Sequence, residues 1–568
     1  MCLFKIHKKI LFQFVFFLIN CSIVQNSLAQ LTSAGSILQG IKSEVPAPYL
    51  PLPDIKLEFP KEEPLKQPSL VFSVNQFKFN GNSKISNETL SELAKSYLNR
   101  PLSFKDLQEL TDRITLEYHR RGWIVRAMLP QQDITSGIVH FQIYEALLGG
   151  IHIENKSKRI DTKRVESWIY SSIPLGTHLS STTLDRAILT LNDQPDLQVS
   201  SSLEQGASPG ETVLLLVITD KPALDGTIGV DNFGQKSTGI NRFTASFNVN
   251  GPLNLGEQVA YYGLYSSGTS YDRLALTVPV GENGLRIGVN TSYLTYKVTD
   301  AGFAQLNING LSSTNGAELT YPLLRSKPSN LYLLLNYNFS SFLNYANSAT
   351  SSQYSTSVFQ SGIYGNRLDN FGGGAVNSLS IYASSGRVNL SNSPSLTSDT
   401  NGPGINGGFN KLHYSLSRQQ TVSSNVAILV GVSGQVASKN MDASEQMYLG
   451  GPYGVRSYAT GQGNANQGIT QSVEIFENLP SNFTLSQFYD YANIQTYKQS
   501  NFSGAPSDNG YSLQGVGTSL VWTGSNGLKL KAIWARRIGT LPTSIYETFI
   551  ANGGLASNRF WLNASLSF

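Results

Sequence analysis

The sequence predicts an all-β transmembrane barrel of about sixteen antiparallel strands, preceded by two α+β modules of order β-α-α-β-β. Three observations carry this prediction: short amphipathic strands without helices after residue 222, an internal repeat before it, and an export signal at the N-terminus. Strands whose side chains alternate between apolar and polar suit a closed barrel, because its wall meets lipid outside and water inside.

Residues 1–29 have the pattern of a signal peptide. Three lysines precede an apolar stretch at 10–19 that is too short to span a bilayer, and small residues lead to a predicted cleavage after Ala29. Lipoprotein processing at Cys21 is the alternative, which Asn20 disfavours because a small residue is expected before a lipidated cysteine. Either reading sends the chain out of the cytoplasm.

Both cysteines, Cys2 and Cys21, lie in the predicted signal peptide, so the mature chain would contain no thiol. This excludes disulfide frameworks and thiolate metal sites. The formal net charge of +4 falls close to zero without the signal-peptide lysines, so no nucleic-acid partner is predicted. Charged residues at 14%, with 27 Tyr and 27 Phe, suit a barrel with aromatic girdles, although a secreted β-sandwich would share this composition.

Two short segments follow the signal peptide. A possible short helix is predicted over residues 30–43, although Gly35 and Gly40 lower its helix propensity. One face of that helix would carry Leu31, Ala34, Leu38 and Ile41. Residues 44–69 contain seven prolines and predict an extended, semi-rigid linker.

Residues 70–146 and 147–222 share one order of predicted elements. The first segment has a strand over 71–79, two helices and two further strands, and its second helix opens with the capping pattern Ser103-x-x-Asp106. The second segment repeats this order, with Thr182-x-x-Asp185 as the corresponding cap. Two consecutive units of one order indicate an internal repeat.

Residues 223–568 contain the predicted barrel strands. Their centres are expected near Gly229, Ala245, Tyr261, Leu276, Val289, Leu319, Leu334, Val358, Ser380, Tyr414, Leu429, Val473, Leu485, Gly517, Leu530 and Asn563. In the last strand Phe560, Leu562, Ala564, Leu566 and Phe568 should face lipid, and Trp561, Asn563, Ser565 and Ser567 the lumen.

The lengths of the connections support this strand count. An even number of strands puts both ends of the barrel on the side of the upstream modules. The long connections then all fall on the opposite side, as expected for extracellular loops. These are predicted at 295–315, 341–354, 386–409, 435–469, 493–512 and 537–558.

No catalytic constellation is found, and neither an enzyme nor a cofactor is predicted. Residues 206–210 match the G-x-S-x-G pattern of hydrolases, but they join two predicted strands, whereas that motif requires a strand followed by a helix. The histidines are scattered without the spacing of metal ligands, so no metal site is predicted.

Local motifs point to a known family. The segment from Tyr118 to Gly137, with Glu145 closing the next strand, contains Gly122, Ala127, Pro130, Gln132 and Gly137. It resembles the first POTRA signature of the two-partner secretion transporters, the hemolysin-activator family. The order of signal peptide, helix, proline-rich linker, two modules and barrel is similar to that family over nearly the whole chain.

Two further motifs lie in the barrel. Val455, Arg456, Ser457 and Tyr458 resemble the Val-Arg-Gly-Tyr/Phe motif that the superfamily carries in its sixth extracellular loop, and Ser457 stands where glycine is usual. A positive φ at that position would strain a serine. Phe488-Tyr489-Asp490 resembles the Phe-x-Asp motif that partners this loop.

The residues themselves support a pairing of these two motifs. Asp490 alternates in phase with Thr484 and Ser486, so it should face the lumen, where an acid on the wall needs a partner. Arg456 on an infolded loop could supply a bidentate ion pair and hold the loop inside the barrel. The alternative is that Arg456 is an exposed loop residue without a fixed partner.

The resemblance implies an outer-membrane pore with periplasmic POTRA domains. Such a pore recognises the N-terminal secretion domain of a large hemolysin- or adhesin-like exoprotein and exports it to the cell surface without ATP. Residues 30–43 would be a removable plug tethered by 44–69. Phe568 would be a C-terminal assembly signal, so the expected partners are this exoprotein, outer-membrane lipid and the outer-membrane assembly machinery.

Two other functions remain open from the sequence. An insertase of outer-membrane proteins shares the POTRA domains, loop motif and barrel, but such relatives usually carry more POTRA modules and lack the plug and tether. A passive diffusion porin is disfavoured by the two modules.

Overall fold

The computed structural model describes residues 32–44, 71–551 and 554–568. The predicted signal peptide and almost all of the predicted linker lie outside these ranges. The first described element is helix α1 (Ala34–Glu44). No helix in the described ranges has the length and hydropathy needed to cross a bilayer.

The first module contains five strands, two more than predicted. Its elements are β1 (Val71–Ser73), β2 (Gln76–Asn80), α2 (Asn87–Ala94), β3 (Pro101–Ser103), α3 (Phe104–Arg120), β4 (Val125–Met128) and β5 (Ile138–Glu145). The single strand predicted over 71–79 is wrong, because the chain leaves the sheet at Val74, which is fully buried. The freed segment β1 pairs with β3 in a separate two-stranded sheet. The capping box from Ser103 to Asp106 is confirmed at the start of α3.

The second module has the predicted order. It contains β6 (Leu147–Asn155), α4 (Thr162–Ser172), α5 (Ser181–Asn192), β7 (Leu197–Gln205) and β8 (Glu211–Asp220). The two main sheets have orders β2-β5-β4 and β6-β8-β7, each with one parallel and one antiparallel pair. The cap predicted at Thr182 is wrong: Ser180 caps α5, and its hydroxyl accepts a hydrogen bond from the Thr183 backbone N–H.

The second module contacts the barrel through α5 and the residues after it. On α5, the Asp185 carboxylate accepts a hydrogen bond from the backbone N–H of Lys327 at 3.1 Å. Arg325 at the end of a barrel strand forms a bidentate pair with Asp193, with N–O distances of 2.7 and 2.9 Å. These contacts place the second module beneath one side of the barrel.

The barrel is closed by sixteen strands, which confirms the predicted number. They are β9 (Leu224–Asp231), β10 (Arg242–Asn250), β11 (Gln258–Ser266), β12 (Thr269–Val280), β13 (Leu285–Lys297), β14 (Asn309–Arg325), β15 (Ser329–Ala346), β16 (Ala349–Asp369), β17 (Ala375–Asn389), β18 (Gly407–Thr421), β19 (Val426–Ala437), β22 (Gln467–Leu479), β23 (Phe483–Gln495), β24 (Gly510–Thr523), β25 (Leu528–Ile538) and β26 (Asn558–Ser567). Every predicted strand centre lies in its own strand. The first strand, β9, pairs with the last, β26, and closes the wall.

The alternation predicted for the last strand is present. Phe560 and Leu562 are 64% and 57% exposed on the outer wall, whereas Trp561 between them is only 3% exposed. An apolar outer face with buried side chains behind it is the arrangement that a bilayer requires.

The prediction of a long loop over 341–354 is wrong. Strands β15 and β16 continue through it and are joined by a two-residue turn at Asn347 and Ser348. Both turn residues have positive φ, which matches the twist of a tight hairpin. Phe342 and Tyr354, which the prediction placed in the loop, stack on the lumenal side with ring centroids 4.7 Å apart.

At the end of the barrel opposite the modules, several connections contain additional short elements. The connection from β17 to β18 contains helix α6 (Leu396–Thr400), and the connection from β25 to β26 contains helix α7 (Thr543–Ala551). The connection from β19 to β22, residues 438–466, contains the short pair β20 (Met447–Tyr448) and β21 (Asn464–Ala465). This connection is named loop 6 below.

Candidate functional site in the barrel lumen

Loop 6 folds back into the barrel, so that its central residues are buried. Val455, Arg456, Ser457 and Tyr458 are all less than a tenth exposed. Two kinds of contact hold it there: Val455 and Tyr458 pack in an apolar cluster, and other residues form polar contacts with the wall. Arg456 makes the largest group of these contacts.

Arg456 is bound on three sides. Its Nε and Nη2 atoms donate to the two carboxylate oxygens of Asp490, both at 2.8 Å, and its backbone N–H donates to the same carboxylate at 3.1 Å. Its Nη1 donates to Glu474 at 2.8 Å. The guanidinium carbon lies 3.3 Å from the ring centroid of Phe488. Bidentate pairing and cation–π contact are both strong out of water, so this arrangement fixes the loop to the wall.

Glu474 is a second acid that the sequence analysis did not identify. It lies on β22, next to β23, and also accepts a hydrogen bond from the Ser486 hydroxyl at 2.5 Å. Register places it opposite Phe488, within the reach of Arg456. The alternation of β22 could have indicated a lumenal acid, because exposed Val473 and Ile475 flank it.

Ser457 is not in the left-handed region, so the strain considered for it does not arise. Its hydroxyl donates to the backbone oxygen of Gln514 at 3.2 Å. The wall makes room for this side chain at Gly515, where an added Cβ would lie 2.7 Å from the Ser457 Cβ. In this protein the glycine is on the wall, at Gly515, and the space that it leaves accommodates the serine in the loop.

The other two motif residues pack in an apolar cluster. Val455 donates its backbone N–H to the Leu449 oxygen within loop 6. The Tyr458 ring meets Phe549 of α7 edge-on, with centroids 6.2 Å apart. Helix α7 therefore covers loop 6 at the mouth of the barrel.

Trp561 on the last strand also holds the loop and was not identified from the sequence as a site residue. Its indole N–H donates to the backbone oxygen of Arg456 at 2.7 Å. Its ring packs against Phe233, with centroids 5.8 Å apart. A tryptophan on the otherwise polar lumenal face of β26 was the signal available in the sequence.

Helix α1 lies in the lumen. Its backbone N–H at Ala34 donates to Asn344 at 2.9 Å, and the Tyr296 hydroxyl donates to the Thr32 oxygen at 3.2 Å. Its buried face consists of Ala34, Ile37, Leu38 and Ile41, which pack against lumenal side chains of the wall, among them Leu264 and Tyr271. Of the face predicted for this helix, Leu31 lies outside the described residues.

The helix also contacts loop 6. An added Cβ at Gly35 would lie 2.9 Å from the Tyr354 hydroxyl and 3.1 Å from the backbone nitrogen of Ser444. Glycine weakens a helix, but here it permits close approach. Loop 6 therefore contacts the helix through 441–445 and the wall through Arg456.

The residues of the POTRA signature in the first module make their contacts within that module. Gly122 and Gly137 have φ values of 83° and 71°, which favour glycine. The Gln132 amide donates to the His140 oxygen at 2.8 Å and accepts from the His140 N–H at 2.7 Å, next to the end of β4. Its neighbour Pro130 accepts a weaker bond from the same amide at 3.3 Å. Ala127 packs on the core of this module.

Glu145 joins the two modules. Its carboxylate accepts hydrogen bonds from the backbone N–H groups of Ser83 and Lys84 at 2.7 Å and from the Tyr118 hydroxyl at 3.0 Å. His178 of the second module lies 3.4 Å away. Burial alone would raise the pKa of this carboxyl, but these donors together hold its pKa below the ordinary value.

Replacing Glu145 with Gln should loosen this junction at neutral pH. The loss of a charged hydrogen-bonding group costs about 2 kcal/mol, or roughly a thirty-fold increase in local hydrogen exchange. A lowered pKa stabilises the fold above the unfolded value, and this contribution is lost as the pH falls through the folded value. The ratio between variant and wild type should therefore shrink below pH 4.5.

Hydrogen–deuterium exchange on the full chain measures this ratio in peptides covering 83–90 and 138–146. Glu117→Gln is the matched control, because Glu117 pairs with Arg120 and Arg121 on the surface of α3 and such pairs contribute little. Equal exchange in the Glu145 variant and wild type at pH 7 would contradict the assignment.

Phe568 continues the register of the last strand. Its backbone N–H and oxygen each bond to Gly226 at 3.0 Å, and its ring lies 6.1 Å from that of Phe247. The side chain is half exposed on the outer wall. In the ranges that the structure describes, no three His, Cys, Asp or Glu side chains are placed to hold a metal.

Two family models match the chain. Residues 72–146 match the POTRA domain of ShlB type, and residues 210–515 match the haemolysin secretion/activation protein ShlB/FhaC/HecB. The second match covers more than half of the chain and includes loop 6 and its partner strand.

Individual proteins are similar over most of their length. The heme/hemopexin transporter protein HuxB of Haemophilus influenzae is 27% identical over 80% of both chains. The solved structure of CdiB from Escherichia coli superposes with a TM-score of 0.65, with 19% identity and coverage of 94% and 96%. BamA from Haemophilus ducreyi lacking POTRA domains 1–3 gives 0.51, with 14% identity and coverage of 88% and 100%. The two structural likenesses bear on the fold alone.

Proposed function

Because the chain belongs to the ShlB/FhaC/HecB family of haemolysin secretion/activation proteins, we propose that it exports one dedicated large exoprotein through its barrel. Proteins of this family are two-partner secretion transporters in the outer membrane, with POTRA domains in the periplasm, and this chain is one of them. The proposal concerns which parts of the chain recognise, admit and release the partner.

We divide the chain into six segments and assign a role to each. Residues 1–29 are a signal peptide, 30–43 a plug helix, 44–69 a periplasmic linker, 70–146 and 147–222 the two POTRA domains, and 223–568 the barrel. The linker would allow the plug to leave the lumen while it stays attached to the periplasmic domains. A proline-rich composition suits this role, because proline-rich linkers in general act as extended, semi-rigid spacers.

The observation that carries the proposal is a lumen occupied by two segments that are not strands of the barrel wall. Helix α1 and loop 6 occupy it together, and both contact the wall mainly through side chains. Removal of α1 would therefore leave the strands and their hydrogen bonds in place. A pore built in this way can be closed at rest and opened for a polypeptide.

Recognition is assigned to the two POTRA domains. Their sheets end in edge strands, which can pair with an extended polypeptide. An unfolded exoprotein with an N-terminal secretion domain would add to such an edge before it enters the lumen. Folding of the exoprotein at the cell surface would then bias its movement outward without ATP. No enzymatic step is part of this proposal.

Assembly of the transporter is assigned to its last strand. Phe568 would be read by the outer-membrane assembly machinery, and the apolar outer faces of the strands would then be solvated by outer-membrane lipid. The outward position of Phe568 at the end of β26 supports this role.

The insertase function is less supported. The family model that covers more than half of the chain is that of haemolysin secretion/activation proteins. The likeness to BamA, at 14% identity, bears on the fold alone. The chain carries two POTRA-like modules, the occupied lumen and the predicted tether, and this combination suits a dedicated transporter.

The test is a secretion assay with candidate exoproteins from the same genome. Export of one large protein to the medium or cell surface only when this chain is present is the expected result. If no candidate depends on it while many outer-membrane proteins lose assembly on its deletion, the insertase function replaces the proposal.

A further inference from the structure

An acidic residue lies on the lipid-facing wall of the barrel. In hairpin β11–β12, Leu264 and Tyr271 point into the lumen, where they pack in the same cluster as α1. Side chains alternate along a strand, so Tyr261, Tyr265 and Asp272 point outward. The outward-facing side chain that follows Asp272 along β12, Leu274, is 49% exposed.

The two outward tyrosines bind this carboxylate. The Tyr261 hydroxyl donates to Asp272 Oδ1 at 2.7 Å, and the Tyr265 hydroxyl donates to the same oxygen. The two phenol oxygens are 2.6 Å apart. Across the strand pair, Asp272 lies opposite Gly263. An added Cβ at Gly263 would lie 2.6 and 2.9 Å from the two hydroxyls, so only glycine lets the rings close over the carboxylate.

The cluster lies near the outer boundary of the membrane. Strand β11 has nine residues, and the turn that follows it has two. At a rise of about 3.3 Å per residue and a tilt near 45°, such a strand rises about 21 Å, which is no more than the apolar band of about 25 Å. The turn therefore lies at the outer interface, and Asp272, three residues below the start of β12, lies about 7 Å deeper.

A charged side chain at this depth requires hydrogen-bond donors. Both tyrosines donate to Oδ1, and within the described ranges Oδ2 accepts no hydrogen bond. Lys297 points outward at the end of β13, where its backbone N–H donates to Gly268 in the turn. The outer wall thus presents a cation at the turn and a carboxylate acceptor below it.

We propose that this face binds a phosphorylated, N-acylated amino-sugar lipid of the outer leaflet. Its phosphate pairs with Lys297, and an amide N–H or hydroxyl at the base of its acyl chains donates to Asp272 Oδ2. Phenol rings at 261 and 265, with Phe243 stacked 6.4 Å from Tyr265, form the apolar sides of the site. The site lies outside the lumen, so the proposal stands independently of the export function.

Native mass spectrometry of the full chain, purified from outer membranes and then supplied with lipid A, tests the site. Asp272→Leu should retain at least three-fold less glycolipid than wild type, and its thermal unfolding should lose most of the shift caused by added lipid A. Tyr293→Phe is the matched control, because Tyr293 pairs with Asp272 in the register and faces outward without bonding to it. It should behave as wild type.

Equal glycolipid retention in Asp272→Leu and wild type would overturn the proposal. An equal loss in Tyr293→Phe would overturn it too, since the wall would then bind lipid without a specific site. If Asp272→Leu lost phosphatidylethanolamine instead of lipid A, the ligand would be a phospholipid amine and the proposal would be wrong. Asp272→Asn, which keeps an acceptor oxygen, provides the same comparison if the leucine variant does not assemble, and it should retain an intermediate amount.

Discussion

Reversal of the charge at Asp490, as in Asp490→Lys, is expected to impair secretion strongly and to change the conductance of the pore. Arg456 would lose its two side-chain hydrogen bonds and its backbone hydrogen bond to Asp490, and it would face a second cation in a buried site. Breaking one side of a buried ion pair costs about 3–5 kcal/mol, which is comparable to the stability of a small domain. Loop 6 should therefore leave its position on the wall. Secretion of the partner exoprotein and single-channel conductance in planar bilayers measure the effect.

Two variants serve as controls for this result. Glu477→Lys reverses an acid on the neighbouring strand that faces outward near its periplasmic end, and it should leave secretion unchanged. Asp490→Asn keeps an acceptor for Arg456 and should have an intermediate effect. Heat-modifiable migration on gels would show which variants assemble. An assembled Asp490→Lys barrel with normal secretion and conductance would refute the role of this pair.

Deletion of residues 31–43 is expected to raise the resting conductance several-fold. The deletion removes the buried apolar face of α1 from the lumen, while the closed ring of strands does not depend on it. The apolar wall residues exposed by this deletion face water, so the opened barrel should also unfold at a lower temperature. Single-channel recordings of the purified protein measure the change directly. Unaltered conductance after the deletion would mean that the helix is not the plug.

A pair of glycine variants tests the same helix without a deletion. Gly35→Ala places a methyl group against Tyr354 and Ser444, whereas the nearest atom to an added Cβ at Gly40 is 3.7 Å away. Both changes raise helix propensity by the same amount. Gly35→Ala should open more often than wild type and Gly40→Ala should not. Equal opening in both variants would show that contact with loop 6 does not hold the helix.

The partnership of Arg456 and Asp490 could be inferred from the sequence, but its full geometry could not. Alternation along β23 indicated that Asp490 faces the lumen, and the motif suggested the arginine. Glu474 and Trp561 were missed, because their contact with loop 6 depends on how a loop of 29 residues folds back into the barrel. Neither strand periodicity nor sequence distance contains that information.

The differences between the predicted and the observed fold have similar causes. Residues 341–354 contain many serines and asparagines and were predicted as a loop, yet β15 and β16 extend through them because Phe342 and Tyr354 pack on the lumenal side. The cap of α5 lies at Ser180, because Asp185 in the alternative motif is directed toward the barrel turn. In both cases a distant contact outweighed a local preference.

The sequence by itself determined the strand number, the alternation of each strand, the duplicated modules and the membrane class. These follow from local periodicity, since each residue's side in a strand depends only on its position along that strand. The tertiary structure alone decided what fills the lumen, which acids meet Arg456 and where Asp272 meets its two tyrosines. Closure of the barrel brings residues that are far apart in sequence to one height, and their contacts depend on the register between strands, which no single strand encodes.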